Sequence, residues 1–249
     1  MGITVDEHKV VRFDPTSEQL VSTSIAANPS SNRFNGLLIY GAFKRLYNKE
    51  SDRKDSDGNP LIYALKNKNG FSISIKECAR FSQNLSTILD KILANKSYEA
   101  IIVMPSSQPV AKRFSIKIHR KIRQDSLIFT DVFTKKTIEE VYNDLVLLQV
   151  GAKDRKDLIA LRRDLETRVA REPKTIFSMK EIAKKYRKFI KPLKYNPEYI
   201  VELSQLKGKS IVLVDDLLAS GSTLVSAYEL LLDREITENI EAICLLGKR

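Results

Sequence analysis

Apolar and polar positions change period several times along the chain, and each change marks an expected element. Residues 1–35, rich in Ser, Asn, Thr and Pro, hold no sustained period and read as irregular. The run FNGLLIYGAFKRLYNK that overlaps their end is mostly apolar and reads as a short helix. Glu50–Pro60 is a polar loop with a D-G turn signal. From Ser74 to Asn95 apolar residues return at helical spacing, with Ser74 and Glu77 placed as a capping box. EAIIVMP, stopped by Pro105, predicts a buried strand. In Ala111–Arg123, Phe114, Ile118 and Ile122 recur at every fourth position, which predicts an amphipathic helix with a positive outer face.

SLIFTDVF reads as another strand, and a long helical stretch follows it. Thr137 with Glu140 caps IEEVYNDLVLLQ, KDRKDLIALRRDLETRVARE is highly charged, and Ser178 with Glu181 caps MKEIAKKYRKFI, ended by Pro192. On that last helix Ile182, Tyr186, Phe189 and Ile190 share one face and are expected in the core. KSIVLVDD is the clearest strand of the chain, GSTLVSAYELLLD a helix and IEAICLLGK a closing strand. Helices set between short apolar strands predict an α/β fold around a parallel sheet. No internal repeat or low-complexity segment interrupts the pattern.

Composition adds enough apolar residues, 43%, for a real core. No run of apolar residues is long enough to span a bilayer, and no basic, apolar leader stands at Met1, so neither membrane insertion nor secretion is expected. Cys78 and Cys244 stand alone, without metal or disulfide spacing, which fits a reduced, cytoplasmic setting. The charge changes the picture more. Forty-two Lys and Arg oppose 31 Asp and Glu, a net +11, and the surplus is clustered. Residues 111–123 hold six Lys/Arg and no acid, and residues 174–194 hold eight against Glu181. A solvated helix face accounts for one such cluster; two raise the expectation of a polyanionic partner, a phosphorylated small molecule or nucleic acid. His119, lying on the polar side of its helix, reads as a surface residue.

The candidate chemistry sits at SIVLVDDLLASGSTLVSAYELLL. Ile211–Val214 suit a strand buried on both faces, and Asp215 and Asp216 come at its C-terminal end, where open α/β sheets bind ligands. Ala219, Ser220, Gly221, Ser222 and Thr223 then lead into a helix, small enough to let a phosphate approach the open N–H groups of the helix start. Carboxylates beside a phosphate site accept hydrogen bonds from sugar hydroxyls or help to place a divalent cation. The combination describes a ribose phosphate. The loop lacks the G-K-[ST] ending of a P-loop, the glycines of a dinucleotide fingerprint and a G-x-S-x-G elbow.

IVLVDDLLASGSTL resembles the signature of type I phosphoribosyltransferases, which bind phosphoribosyl pyrophosphate (PRPP). Ala219 stands where that motif commonly has a threonine, and one hydroxyl is lost. LIYALKNKNGFSISIKECARFSQNLSTIL, YEAIIVMPSSQPVAKRF and KPLKYNPEYIVELSQLKGKSIVLVDD follow the order of ComF-like members, although the R-G-F-N-Q-like run of those proteins survives only as Lys112–Arg113–Phe114. The resemblance implies a parallel sheet flanked by helices with a variable hood. Residues 1–60 would form an N-terminal segment and part of the hood, residues 61–249 the phosphoribosyltransferase-like domain, with a basic helical insertion at about 137–191. It implies that Asp215 and Asp216 contact the ribose hydroxyls as catalytic residues and reach a metal indirectly, through the ligand. Ala219, Ser220, Gly221, Ser222 and Thr223 would hold the ribose phosphate. Met104, Pro105, Ser106 and Ser107 would form the pyrophosphate loop, with Lys112 and Arg113 offsetting its charge. Mg²⁺ would accompany PRPP. The expected activity is transfer or hydrolysis of the ribose-phosphate group, the acceptor being unread. The alternative is a catalytically quiet PRPP or nucleotide-binding module whose basic segments 111–123 and 174–194 engage nucleic acid or a nucleoprotein partner, as a regulator or as an effector of retron-like anti-phage defence. Oligomerisation is left open.

Overall fold

The computed structural model describes residues 1–46, 59–122, 125–199, 202–237 and 239–248. The expected polar loop at Glu50–Pro60 lies almost wholly outside the described residues. In chain order the strands and helices are β1 (Gly2–Val5), β2 (Val10–Asp14), β3 (Val21–Ser22), β4 (Ser30–Phe34) and β5 (Leu37–Arg45); α1 (Pro60–Leu65), β6 (Ser72–Ile73) and α2 (Ile75–Leu93); then β7 (Ala100–Val103) and α3 (Val110–His119). They continue with β8 (Leu127–Phe129), β9 (Phe133–Lys135), α4 (Ile138–Leu147), α5 (Ala152–Arg171), β10 (Leu193–Tyr195), β11 (Ile211–Leu217), α6 (Ser222–Asp233) and β12 (Ile240–Leu246).

The centre is a parallel sheet in the order β5-β12-β11-β7-β8, edged by antiparallel β3 and β4 on β5. The strand period sorts its side chains to two faces. Val212 and Val214 join one apolar cluster with Phe81 and Leu85 of α2 and Phe114 and Ile118 of α3. Ile211 and Leu213 join the other with Leu224, Ala227 and Leu231 of α6. The expected α/β class with a parallel sheet is what the structure has.

Several local expectations are corrected. Residues 1–35 are not irregular: β1 and β2 form a hairpin extended by β6, and β4 pairs with β5. Over its described residues the expected helix at 34–49 is instead strand β5, with Leu37, Ile39, Ala42 and Phe43 all 0% exposed, inside the central sheet; residues 47–49 lie outside the described residues. SLIFTDVF divides into β8, which belongs to the sheet, and β9, which pairs with β10 outside it. The capping box of Ser74 is half made. Ser74 Oγ accepts the Glu77 N–H, but the Glu77 carboxylate accepts the N–H of Phe13 at 2.6 Å and ties α2 to β2 instead.

Residues 137–191, the expected insertion and called the hood from here on, have an apolar cluster of their own, in which Val141, Leu145, Leu158 and Leu161 of α4 and α5 meet Phe177, Phe189 and Ile190. Thr137 and Glu140 make the full reciprocal box at the start of α4. The expected third helix is absent. Met179–Glu181 and Lys184–Phe189 are 3₁₀ turns, and Ser178 makes no cap. Ile182, Phe189 and Ile190 are nonetheless buried and Tyr186 packs against them, so the apolar pattern found the core although the period did not give the helix.

Candidate active-site cleft

The loops after β7 and β11 leave the same end of the sheet, and the geometry there follows from how each is anchored. Met104, 2% exposed, donates its N–H to the Val214 carbonyl at 2.9 Å, which fixes Met104–Ser107 beside β11. The buried Arg45 at the end of β5 donates to the carbonyls of Leu218 at 2.5 Å and Gly247 at 2.8 Å, which pins the start of the small-residue loop. Gly221 is left-handed at φ 78°, a conformation that glycine reaches most cheaply, and it turns the chain into α6. No side chain caps α6 or α3, whose starts line pockets at this end of the sheet, while α1, α2 and α4 are capped by Asn59, Ser74 and Thr137. Helix α5, which begins in the hood, shares the lack of a cap. The first N–H groups of α3 and α6 are therefore without side-chain partners at the places where an anion is expected.

Asp215 and Asp216 adjoin in sequence but diverge in their contacts. Asp216, 4% exposed, takes an ion pair from Lys66 Nζ at 2.5 Å and a hydrogen bond from Ser106 Oγ at 3.2 Å, both on Oδ2. Asp215 accepts the Asp216 N–H on Oδ1 at 2.8 Å. Burial, and then the negative charge of Asp216, push the Asp215 carboxyl up to about 7, against the partial relief given by that N–H, Lys66 and Lys135.

Both acids line a cleft of about 380 Å³ whose cationic wall is Lys66, Lys68, Lys135 and Lys180 and whose apolar wall includes Tyr63, Phe177 and Leu193. Lys68 Nζ donates to Ser107 Oγ at 3.1 Å. On the far side of Asp215 a smaller pocket of about 100 Å³ is bounded by Ala219, Ser220, Gly221 and Thr223, with Lys180 and Arg187 of the hood across from them. A third recess of about 240 Å³ lies between Pro105–Gln108, Lys112 and Asp131.

The structure thus gathers Asp215, Asp216, Pro105, Ser106, Ser107 and Thr223 at one cleft and sets Ala219–Gly221 and Lys112 in the pockets adjoining it. Ser222 faces another cavity, beside α6, and Arg113 is exposed on α3 and lines none of these pockets. Lys66, Lys68, Lys135 and Lys180 belong to no motif in the sequence. Lys180 and Arg187 belong to the basic run 174–194, whose charge was the available signal. Four others of that run are turned to other use: Lys185 pairs with Asp157 at 3.1 Å, Lys188 with Asp154 at 2.6 Å, Lys191 with Glu229 at 2.9 Å, and Lys194 with Glu140, while Lys174 and Lys184 are exposed.

Both cysteines are free, and no described helix is long and apolar enough to cross a membrane. Among the described residues no group of three or more His, Cys, Asp or Glu comes together as a metal site. His119 is half-buried, its Nδ1 2.8 Å from Ser126 Oγ.

Residues 167–249 match the family model of the phosphoribosyl transferase domain. No curated protein and no solved structure matches the chain. The matched residues contain β11 with its acids, the small-residue loop and α6, and the parallel sheet beneath them is of the kind this family uses. Over these residues, from inside α5 to beyond β12, the chain is thus similar to a phosphoribosyl transferase domain.

Proposed function

We propose that the cleft binds PRPP with Mg²⁺ and that the protein breaks the bond between the ribose and pyrophosphate, passing the ribose phosphate to an acceptor or to water. The 5′-phosphate lies on Ala219–Thr223 and the start of α6, with Lys180 and Arg187 opposite. The ribose hydroxyls donate to Asp215 and Asp216. The pyrophosphate lies over Met104–Ser107, near Lys66, Lys68 and Lys112. The observation that carries this reading is the meeting of two carboxylates with four lysines in one cleft bounded by the uncapped start of α6, with the uncapped start of α3 in the recess that adjoins it. A ligand with a diol between two phosphate groups satisfies all of them at once.

The residues suit a cation carried by the ligand. With Asp216 already bonded to Lys66 and Ser106, and no third acid alongside among the described residues, Mg²⁺ would take its oxygens from pyrophosphate, ribose and water and would supply charge neutralisation to the leaving group. The chain's own part is to hold the sugar by its hydroxyls while lysine charge stabilises the departing pyrophosphate.

Calorimetry with PRPP and Mg²⁺ tests the site. Wild type should bind, and Asp215→Asn/Asp216→Asn should bind at least about tenfold more weakly, since charge-assisted hydrogen bonds are lost. No heat with wild type, or equal binding by the double variant, overturns the assignment. The alternative of a nucleic-acid module loses much of its basis in residues 174–194, where Lys185, Lys188, Lys191 and Lys194 pair with acids and Lys180 and Arg187 face the small-residue loop. What remains of it is the outer face of α3, with the exposed Lys174 and Lys184. A gel shift at low salt that Lys112→Glu/Arg113→Glu abolishes would restore it.

A further inference from the structure

The turn that follows α1 reaches into the cleft with two lysines. Its sequence is KNKNG, with positive φ at Asn67, Asn69 and Gly70 (50°, 58° and 77°), a region open to Asn and Gly at little cost. Lys66 Nζ pairs with Asp216 Oδ2 at 2.5 Å, and Lys68 Nζ donates to Ser107 Oγ at 3.1 Å. Ser106 Oγ shares Asp216 Oδ2 with Lys66, so the Lys66 ammonium stands beside residues 104–107. We infer that Lys66 is an exchangeable partner of Asp216: pyrophosphate draws it off the acid, and the released carboxylate takes the sugar hydroxyl. The two ends of PRPP then bind cooperatively through one lysine. This rests on the proposed function and names the residue that couples the two halves of its site.

Three features of different kinds carry the exchange. The first is competition. Asp216 is 4% exposed, and its Oδ2 already accepts from two donors, as many as an oxygen with two lone pairs holds. A hydroxyl that reaches this oxygen therefore displaces one of them. The second is reach. Lys66 and Asp216 both line the cleft, and the Lys66 side chain is 16% exposed, so its ammonium turns from acid to cleft by rotation of its own stem. Lysine suits such a change of partner, being a point charge with three rotatable donors on a flexible chain. The third is charge. Lys66 and Asp216 together are a neutral pair, whereas pyrophosphate offers the ammonium several negative oxygens at once. Ser106 keeps its bond to Asp216 throughout and holds the carboxylate in place. A lysine that only braced the loops would stay on Asp216 whatever bound.

Calorimetry on the full chain measures the coupling. Ribose 5-phosphate is titrated in Mg²⁺ buffer with and without saturating inorganic pyrophosphate, and the ratio of the two affinities is the coupling factor. Repulsion between the two anions opposes joint binding in every variant, so the part of Lys66 is read from the difference between chains. The wild-type factor should favour joint binding about fivefold or more over that of Lys66→Met. Should Lys66→Met lose cooperative unfolding, Asp216→Asn removes the same pair from the other side and should lower the factor alike. An equal factor in wild type and a folded variant overturns the exchange and leaves the PRPP assignment standing. So does a wild type that binds PRPP but takes up no ribose 5-phosphate beside pyrophosphate. Failure of wild type to bind PRPP removes the proposed function, and the exchange with it.

Discussion

Asp215 is a carboxyl that gives up its proton only near pH 7, and this has consequences of opposite sign for stability and for binding. Its folded affinity for a proton exceeds that of the unfolded chain, so between the ordinary value of 3.8 and about 7 the folded state binds more protons. Stability from this group therefore falls as pH rises through that window, by a total on the order of 2–4 kcal/mol. Asp215→Asn should unfold with a flatter dependence and be more stable than wild type at pH 8, as read from urea midpoints at pH 5 and 8. Binding runs the other way. The ionised carboxylate is the better acceptor for a ribose hydroxyl, so PRPP affinity should rise between pH 6 and 8 in wild type and lose that rise in the asparagine variant. Lys66 is the other residue with a large expected effect. Its removal in Lys66→Met leaves Asp216 buried beside Ser106 without its cation, and breaking such a pair costs about 3–5 kcal/mol. A double-mutant cycle with Asp216→Asn, measured by urea unfolding, should recover much of that loss. The acids were legible because strand, carboxylates and small loop are consecutive. Lys66 was not, because nothing near KNKNG records that a strand far along the chain brings Asp216 to it.

Among elements, β5 shows why a short apolar run misleads. GLLIYGAF is apolar at nearly every position, so neither the strand nor the helical period stands out, and only its two-sided burial in the sheet decides. Gly41 was the unread signal. A Cβ there would lie 2.3 Å from the Gly247 Cα and 2.7 Å from Ser30 Oγ, so the backbone approach admits no side chain. Gly41→Ala should destabilise by more than about 2 kcal/mol, seen as a fall in urea midpoint at unchanged slope. The contrast between Thr137 and Ser178 is equally local. Both stand three residues before a glutamate, yet only Thr137 caps a helix. After Ser178 the chain must bring Ile182, Phe189 and Ile190 to the hood cluster and turn Arg187 inward, where its Nε donates to the Ile182 carbonyl at 3.0 Å. Tertiary packing there overrides a helical propensity that is otherwise adequate.

At the scale of the whole molecule, two apolar clusters grip the parallel sheet and a third holds the hood together by itself. Contacts between hood and core include polar ones such as Lys191–Glu229. The hood should accordingly open at lower free energy than the sheet. Native-state hydrogen exchange should show amides of α4 and α5 exchanging as one unit ahead of β7, β11 and β12. Leu161→Ala, which empties a site 0% exposed at the centre of the hood, should lower that opening energy by about 2–5 kcal/mol and leave exchange in the sheet nearly unchanged. The parallel α/β class was legible because buried strands and helices alternate in the second half of the chain. The hairpin of β1 and β2 was not, since its strands are too short to show a period, and the fold of the hood was not, since Phe177, Phe189 and Ile190 meet partners distant in sequence.

The position of β12 matters most during synthesis. It lies between β5 and β11, yet it is translated after both. Until Ile240–Leu246 leave the ribosome, β5 has no parallel neighbour, β11 has one open edge, and the groups around Asp215 have no common floor. Such edges invite pairing with other chains. A nascent chain stalled short of Ile240 is thus without a complete cleft and is the form most in need of a chaperone, and the missing strand supplied as a separate peptide has a ready slot to fill.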